Sequence, residues 1–193
     1  MNPTRFLEFR AEWPEESQLA EILASWKFDK QKYVNNLLDV GEVLDANGVP
    51  FMLAFGTLLG AIRDNGPCEG DQDVDVMVLE DQEPKLVKLF LEDFAMEHSF
   101  KLKGFRICRV SENMLTVDRD NSYVDIYIFR KMPDLEPNLM YGCCDYRIDG
   151  WRVLNPWTMP LHGRQWKIPS RPESYLTEKY GHWRVPQDYH AKT

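Results

Sequence analysis

Long apolar runs are missing from this chain of 193 residues. A helix that crosses a bilayer needs about 20 consecutive apolar residues, and no run approaches that length. The apolar stretch and cleavage pattern of a signal peptide are also missing from the first residues, MNPTRFLEFRAEW. We therefore expect no transmembrane segment and a cytoplasmic location.

Cysteine and positive charge are scarce as well. The 23 Lys and Arg residues are outnumbered by 31 Asp and Glu residues, giving a net charge of −8, whereas a general nucleic-acid binder normally has a basic surface. The cysteines are too few and too irregularly spaced for a disulfide framework, and no CxxC pair indicates a zinc site. They are Cys68, Cys108, Cys143 and Cys144. We expect reduced thiols and no nucleic-acid partner.

The apolar content, 44%, is sufficient for a core, and the length fits a single domain over residues 1–193. Helical spacing of apolar residues over residues 15–47 predicts two N-terminal helices, so we assign residues 1–48 to an N-terminal helical part. Further helices are expected at 57–63, 83–97 and 172–180, and strands at 51–54, 74–79, 100–103, 105–110, 114–118 and 123–129. Helices beside a mixed sheet indicate an α+β or α/β domain.

Two of the predicted strands carry aspartates on one face. Side chains two residues apart leave a strand on the same side, so Asp73 and Asp75 of DVDVMV project together, and Asp125 is placed similarly in SYVDIYIF. Neighbouring carboxylates repel each other, and a hard cation such as Mg²⁺ or Mn²⁺ relieves that repulsion. If the strands are neighbours, the three acids suit metal-assisted phosphoryl transfer. Otherwise they are exposed acids on a half-solvated sheet.

A glycine-containing turn lies upstream of these acids. Gly56 and Thr57 follow a short apolar strand and open a helix, whose N-terminus offers free N–H groups to a phosphate. Gly56 allows close backbone approach, and Thr57 can cap the helix or bond a phosphate oxygen. Arg63, at the end of that helix, is either a further phosphate ligand or a surface cation favoured at a helix C-terminus.

The segment that carries these residues resembles the core motif of the LicD family in the nucleotidyltransferase superfamily; it reads AFGTLLGAIRDNG…GDQDVDVMV. The closing segment WKIPSRPESYLTEKYGHWRVP is similar to the C-terminal signature of that family. The resemblance implies an α+β fold: a nucleotidyltransferase-like mixed β-sheet flanked by helices, with an N-terminal helical extension. It also implies that Asp73, Asp75 and Asp125 are the catalytic, metal-binding carboxylates and that Gly56 and Thr57 form the phosphate-side turn.

The chain departs from the family motif within the acidic run. Gly70 stands where the family has a tryptophan, and Gln72 stands where it has an aspartate. Asp71 is retained, as an outer metal ligand or a hydrogen-bond acceptor. Both Asp73 and Asp75 are retained, so the expected metal-binding pair is intact. The changes at Gly70 and Gln72 mean that the donor specificity of the family is not carried over directly to this chain.

The resemblance implies a magnesium-dependent transferase with a nucleotide donor and a sugar acceptor. Such an enzyme moves a phosphocholine, phosphoribitol or similar phospho-alcohol group from a CDP-linked donor to a sugar hydroxyl of a glycan, with Asp125 helping to activate that hydroxyl. Two alternatives stay open. One is a nucleotidyltransferase that passes NMP from an NTP to a small molecule or protein, and the other is a catalytically inactive nucleotide-binding module of the same fold.

Overall fold

The computed structural model of the chain describes residues 27–71, 73–120, 122–132 and 139–186. The predicted first N-terminal helix, before residue 27, and Gln72 lie outside the described residues. In the described ranges, no helix has both the length and the apolar content that a bilayer crossing requires. The four cysteines are free thiols, as expected.

Helices and strands are distributed along the whole described chain. The helices are α1 (Lys30–Ala46), α2 (Phe55–Arg63), α3 (Glu83–Val87), α4 (Ala95–Leu102), α5 (Gly150–Leu154) and α6 (Pro172–Tyr180). The strands are β1 (Met52–Leu53), β2 (Asp73–Leu79), β3 (Arg106–Val110), β4 (Met114–Arg119), β5 (Ser122–Met132), β6 (Met140–Cys143), β7 (Tyr146–Asp149), β8 (Trp157–Leu161) and β9 (Arg164–Ile168). A 3₁₀ turn precedes α3 and a π turn, Lys88–Glu92, follows it.

The strands form one mixed sheet and one separate hairpin. The sheet has the order β1-β2-β5-β4-β3, with β6 paired to the far end of β5 and β7 paired to β6, while β8 and β9 form the hairpin. Strands β2 and β5 run parallel, and the other described pairs are antiparallel. This mixed α+β architecture confirms the predicted fold class.

The predicted alternation places Val74, Val76 and Val124 on the face opposite the acids, but both faces of β2 and β5 are buried over most of their length. Val74, Val76 and Val124 are fully buried, at 0% exposure, and fill the core. The register places Asp75 directly opposite Asp125 across the parallel pair. The two strands that carry the candidate acids are therefore neighbours.

Helix α1 packs on this sheet and belongs to the core. Asp29 caps its N-terminus by accepting backbone N–H groups, and Leu37 and Val40 on its inner face are 1% and 0% exposed. Arg119, at the end of β4, pairs with Asp39 of the helix at 2.7 Å. The second of the two predicted N-terminal helices is thus confirmed.

The prediction of one continuous helix over residues 83–97 is wrong. After α3 and its π turn, Phe94 adopts a left-handed conformation with φ of 53°, and helix α4 begins at Ala95. The predicted strand at 100–103 is also wrong, because α4 continues to Leu102.

Tertiary packing explains this break. Phe94, which the helical pattern places in the core, is 58% exposed, whereas Phe100 is fully buried. The ring of Phe100 stacks on Phe90, with 5.9 Å between centroids. The reversal of the chain therefore brings a different phenylalanine into the core from the one that the local pattern selects.

Gly60 lets helix α2 lie directly against the loop that leads into β2. A Cβ atom at this position would lie 2.3 Å from the carbonyl oxygen of Gly66 and 2.8 Å from the backbone nitrogen of Cys68. Both neighbours are backbone atoms, which cannot rotate aside as a side chain does. Because the loop continues to Asp71, this contact also holds the acid-bearing segment in place.

We expect Gly60→Ala to lower the free energy of unfolding by about 1–3 kcal/mol, the usual cost of overpacking. Without the clash, the same change in a helix would raise stability by about 1 kcal/mol because alanine is the better helix former. Urea unfolding followed by circular dichroism measures the difference. Asn35→Ala, at an exposed position of α1, is the control and should be neutral or stabilising. A stabilised Gly60→Ala variant would contradict the close contact.

Candidate active site

Four aspartates meet where β2 and β5 run side by side. Asp73 and Asp75 lie on β2, Asp125 lies opposite Asp75 on β5, and Asp71 precedes β2 by two residues. The charges of Asp125 and Asp71 both act on Asp73, so these side chains are close enough to interact. Asp75 and Asp125 are 5% and 3% exposed. The structure thus brings together the three predicted aspartates and Asp71, which the sequence indicates as an outer metal ligand or a hydrogen-bond acceptor.

Gly56 is in contact with this acidic group through its backbone. Its N–H donates to Oδ2 of Asp75 at 2.8 Å. A Cβ atom on Gly56 would lie 3.0 Å from both carboxylate oxygens of Asp71 and 3.2 Å from Oδ2 of Asp75. Any side chain at this position would therefore crowd two carboxylates, which explains the glycine at the second residue of α2.

The hydroxyl of Thr57 joins α2 to β2. It accepts the backbone N–H of Asp75 at 2.7 Å and bonds the hydroxyl of Tyr33 at 2.6 Å. Tyr33, from α1, also donates to the carboxylate of Asp71 at 3.3 Å. Thr57 is 2% exposed, and its hydroxyl is occupied by these bonds, so the hydroxyl positions the aspartates and is not available to a ligand. A phosphate would have to approach the backbone of Thr57 at the helix N-terminus.

Asp125 is held by side chains of three strands. The hydroxyl of Thr116 on β4 donates to Oδ1, and the hydroxyl of Tyr127 on β5 donates to Oδ2 at 3.3 Å. The guanidinium of Arg109 on β3 lies 3.6 Å from Oδ1. These contacts fix the orientation of the carboxylate beside Asp75.

Burial is the main reason why the pKa values of these carboxyl groups are raised. For Asp73 and Asp75 the charges of the neighbouring aspartates add to the effect of burial, and both pKa values lie well above the usual range for Asp. Burial also raises the pKa of Asp125, although its bond from Thr116 and the charge of Arg109 oppose the rise. The protein itself therefore neutralises only part of the negative charge that it concentrates here.

The donor chemistry of the site fits a hard divalent cation. Carboxylate oxygens are the ligands that Mg²⁺ and Mn²⁺ prefer, and their mutual repulsion favours a bound cation. In the described ranges, however, no group of three or more His, Cys, Asp or Glu side chains is placed to hold a metal ion together. Asp75 and Asp125 instead make the internal bonds to Gly56 and Thr116. Metal binding stays a prediction that would require these side chains to turn.

A cavity of about 870 Å³ opens over the acids. This volume lies within the usual range for small-molecule sites, about 300–1,000 Å³. Asp71, Asp73 and Asp75 line one part of the wall, and aromatic residues with a lysine line another part. This second part consists of Phe55, Tyr127, Tyr146, Tyr180 and Lys179.

Arg63 also lines the cavity, but its guanidinium bonds other groups of the protein. Nε and Nη2 donate to the carboxylate of Asp64 at 3.0 and 2.8 Å, and Nη1 donates to the carbonyl oxygen of Trp183 at 3.3 Å. Arg63 therefore ties α2 to the segment after α6. The predicted phosphate contact of this residue stays a prediction.

Gly70, which replaces the tryptophan of the LicD motif, has a backbone reason to be glycine. Its φ is 81°, in the left-handed region that residues with a side chain rarely adopt. No atom lies within 4 Å of where its Cβ would be, so space is not the constraint. A tryptophan at this position would adopt this backbone conformation only with strain.

Several residues around the acids were not identified from the sequence. Tyr33 lies 38 positions before Asp71 and has no local motif, so only the packing of α1 shows its role. Arg109 lies on a strand with no acidic pattern of its own. Lys179 directly precedes the Tyr-Gly pair at the end of α6, and this position gave little indication that the lysine lines the cavity. Tyr127 shares the face of Asp125, and the strand alternation did show that.

The tryptophans of the last third of the chain lie away from the cavity. Trp166 and Trp183 are 1% and 4% exposed and fill the core, whereas Trp151 and Trp157 are exposed. None of the four is among the residues that line the cavity over the described acids. Burial of apolar area accounts for Trp166 and Trp183, but it does not account for the exposed Trp151 and Trp157.

We expect Asp73→Asn to raise the free energy of unfolding of the metal-free protein by about 1–2 kcal/mol near pH 7. The substitution removes one of several repelling charges. The magnitude follows because a pKa shift of one unit corresponds to about 1.4 kcal/mol. A carboxyl group whose pKa is raised by folding favours the folded state below its unfolded-state pKa, and this contribution is lost as the pH rises through the folded-state pKa. The advantage of the variant should therefore shrink as the pH is lowered toward about 4.

Chemical unfolding in EDTA at several pH values provides the measurement. Glu69→Gln removes the same charge from an exposed position of the same cavity and should change stability by less than about 0.5 kcal/mol. A variant Asp73→Asn that is less stable than the natural sequence near pH 7 would show that the aspartates do not repel one another in the folded protein.

Comparison with solved structures supports the fold. The solution structure of the antibiotic-resistance factor ANT(2'')-Ia superposes with a TM-score of 0.51 at 11% sequence identity, covering 82% of this chain and 79% of that chain. The lincomycin-bound lincosamide antibiotic adenylyltransferase LnuA gives a TM-score of 0.49 at 12% identity, covering 78% of this chain and 92% of that chain. The likeness to ANT(2'')-Ia shows a shared nucleotidyltransferase fold.

Sequence comparison identifies the family. An uncharacterized protein of Rickettsia typhi is 29% identical over 103 residues, which is 53% of this chain and 30% of that protein, so the match spans less than a third of the relative's length. The family model described as LicD/FKTN/FKRP, nucleotidyltransferase domain, matches residues 48–171, a range that includes Gly56 and the four aspartates and ends before α6. The chain therefore belongs to the LicD/FKTN/FKRP family of nucleotidyltransferase domains.

Proposed function

We propose that this protein is a metal-dependent transferase that moves a phospho-alcohol group from a CDP-linked donor to a sugar hydroxyl. The observation that carries the proposal is the parallel pairing of β2 with β5, which sets Asp125 beside Asp75, one of the aspartates that line a cavity of ligand size. Membership of the LicD/FKTN/FKRP family supports the reaction class, and the donor and the glycan acceptor are the finer part of the proposal. A cytoplasmic location accords with a soluble nucleotide donor and is proposed with it.

Asp73, Asp75 and Asp125 would hold Mg²⁺ or Mn²⁺, with Asp71 as an outer acceptor. A bound divalent cation supplies positive charge that neutralises phosphate oxygens during transfer. The chain's own residues contribute the geometry. Thr57 and Gly56 fix the position of Asp75, and the hydrogen bonds to Asp125 fix its orientation on the neighbouring strand.

The phosphates of the donor would lie against the N-terminus of α2. Gly56 presents backbone atoms there without a side chain, and the helix dipole favours negative charge at this end. Arg63 lies on the same cavity wall and would face the donor if it exchanged its bond to Asp64. The cytidine part and the transferred alcohol would share the remainder of the cavity.

Asp125 would receive a proton from the acceptor hydroxyl after its side chain turns toward the cavity, since it is 3% exposed and is not among the described residues that line the cavity. It is buried, oriented by Thr116 and Tyr127, and close to Asp73 and Asp75. In the proposed step the acceptor oxygen forms a bond to the distal phosphorus of the donor, the bond from that phosphorus to CMP breaks, and the hydroxyl proton passes to the carboxylate. CMP is the leaving group.

We expect the protein to release CMP when it is incubated with a CDP-alcohol, a sugar acceptor and Mn²⁺. Asp125→Asn should lower kcat by about 10²–10⁴-fold, the usual contribution of a positioned general base. Asp93→Asn, at an exposed position between the π turn and α4, is the control and should retain full activity. Chromatographic measurement of CMP gives the rate. Full activity of Asp125→Asn would remove this residue from the mechanism.

The main alternative is transfer of NMP from an NTP to a small molecule or protein. The nucleotidyltransferase description of the matching family model favours it, and it would use the same aspartates. Thermal shift with Mg²⁺ and a panel of NTPs and CDP-alcohols separates the two functions. Larger stabilisation by ATP or GTP than by every CDP compound would support NMP transfer and would contradict the CDP-alcohol donor.

A catalytically inactive binding module is the remaining alternative, suggested by the departures at Gly70 and Gln72. Calorimetry and the CMP assay together decide it. Binding of nucleotide without any turnover in the presence of Mg²⁺ or Mn²⁺ would favour the inactive module. Product formation would exclude it.

A further inference from the structure

The cavity contains a notch between two aromatic rings that already holds a cation. The rings of Phe55 and Tyr146 lie 5.5 Å apart between centroids, at an interplanar angle of 77°. The ammonium nitrogen of Lys179 lies 4.9 Å from the centroid of Phe55 and 5.0 Å from that of Tyr146. Both distances are within the range of about 6 Å over which an aromatic ring attracts a cation. We call this site, Phe55 and Tyr146 with Lys179, the aromatic notch.

The aromatic notch is part of the same cavity as the aspartates. Phe55 is the first residue of α2, and the N–H of the next residue, Gly56, donates to Asp75. The aromatic notch and the aspartates therefore lie next to each other at the N-terminus of α2. Phe55, Tyr146 and Lys179 all line the cavity together with Asp73 and Asp75. A phospho-alcohol group that reacts at the acids would therefore have its alcohol end close to the notch.

Helix α6 fixes the lysine over the notch. Tyr175, one helical turn before Lys179, accepts the backbone N–H of Phe55 at 3.3 Å, and its ring packs edge-on against Tyr146 with 5.2 Å between centroids. Residues four apart lie on the same side of a helix. In the described part of the chain, no carboxylate forms an ion pair with Lys179 that would draw its ammonium away from the rings.

A quaternary ammonium group would require the place that Lys179 occupies. Aromatic rings in this arrangement are a common receptor for choline-like cations, and two cations in one notch repel each other. An uncharged polyol meets no such repulsion, and its hydroxyl oxygens can accept hydrogen bonds from the ammonium of Lys179.

We propose that Lys179 makes this cavity selective for donors whose transferred alcohol is an uncharged polyol, and that it disfavours a quaternary ammonium alcohol. The selectivity arises because the notch carries its own cation. This inference rests on the proposed CDP-alcohol donor and specifies its chemical class.

Isothermal titration calorimetry with CDP-glycerol and CDP-choline, in the presence of Mg²⁺, tests the inference on the full chain. The natural sequence should bind CDP-glycerol at least tenfold more tightly than CDP-choline. Lys179→Ala should reduce this ratio by about tenfold, mainly through tighter binding of CDP-choline to the empty notch. Lys179→Arg keeps a cation over the rings and should keep the preference. Lys167→Ala, at an exposed position of β9 outside the cavity, should leave the ratio unchanged.

Two results would overturn the inference alone. One is binding of CDP-choline by the natural sequence as tightly as CDP-glycerol, and the other is an unchanged ratio in Lys179→Ala. Lys179 is exposed, so this variant should fold, and its thermal unfolding temperature confirms that. Failure of the natural sequence to bind either compound would instead overturn the CDP-alcohol donor itself, and the inference with it.

Discussion

The pairing of Asp75 with Asp125 across the parallel strands β2 and β5 is the constraint on which the rest of the structure depends. Like charges directly opposite each other weaken a sheet, and burial increases the cost because the charged forms lose water. Contacts from the surrounding residues offset part of this cost. Gly56 donates to one carboxylate, and Thr116 and Arg109 contact the other. Removal of one charge or addition of a cation would relieve the repulsion that remains.

The supporting contacts come from distant parts of the chain. Tyr33 on α1 bonds both Thr57 and Asp71, so the N-terminal helix takes part in positioning the acids although it lies outside the residues matched by the family model. Helix α6, also outside that range, places Tyr175 against Phe55 and Lys179 over the aromatic rings. The family domain supplies the carboxylates, and the flanking helices supply much of what holds and surrounds them.

The cavity therefore has two chemically different walls, one acidic and one aromatic with a single cation. Membership of the family places the chain among nucleotidyltransferase domains, and the fold shared with ANT(2'')-Ia agrees with that. Under the proposed function, the diphosphate of the donor would face the acidic wall, and the aromatic wall would contact the transferred alcohol.

The sequence by itself determined the elements whose signal is local. Alternation in β2 and β5 identified Asp73, Asp75 and Asp125 and their common face, because strand period depends on near neighbours. Turn-forming residues predicted where α2 and α6 end, whereas α2 begins at Phe55, two residues before the predicted start and without a side-chain cap. Only the tertiary structure decided the rest. Packing across the core selects Phe100 and not Phe94 as the buried phenylalanine. The hydroxyl of Thr57 bonds Tyr33 and Asp75. The ammonium of Lys179 lies over Phe55 and Tyr146. These contacts join residues far apart in the chain. Such contacts leave no periodic trace in the sequence, since they are selected by packing across the core and not by spacing along the chain.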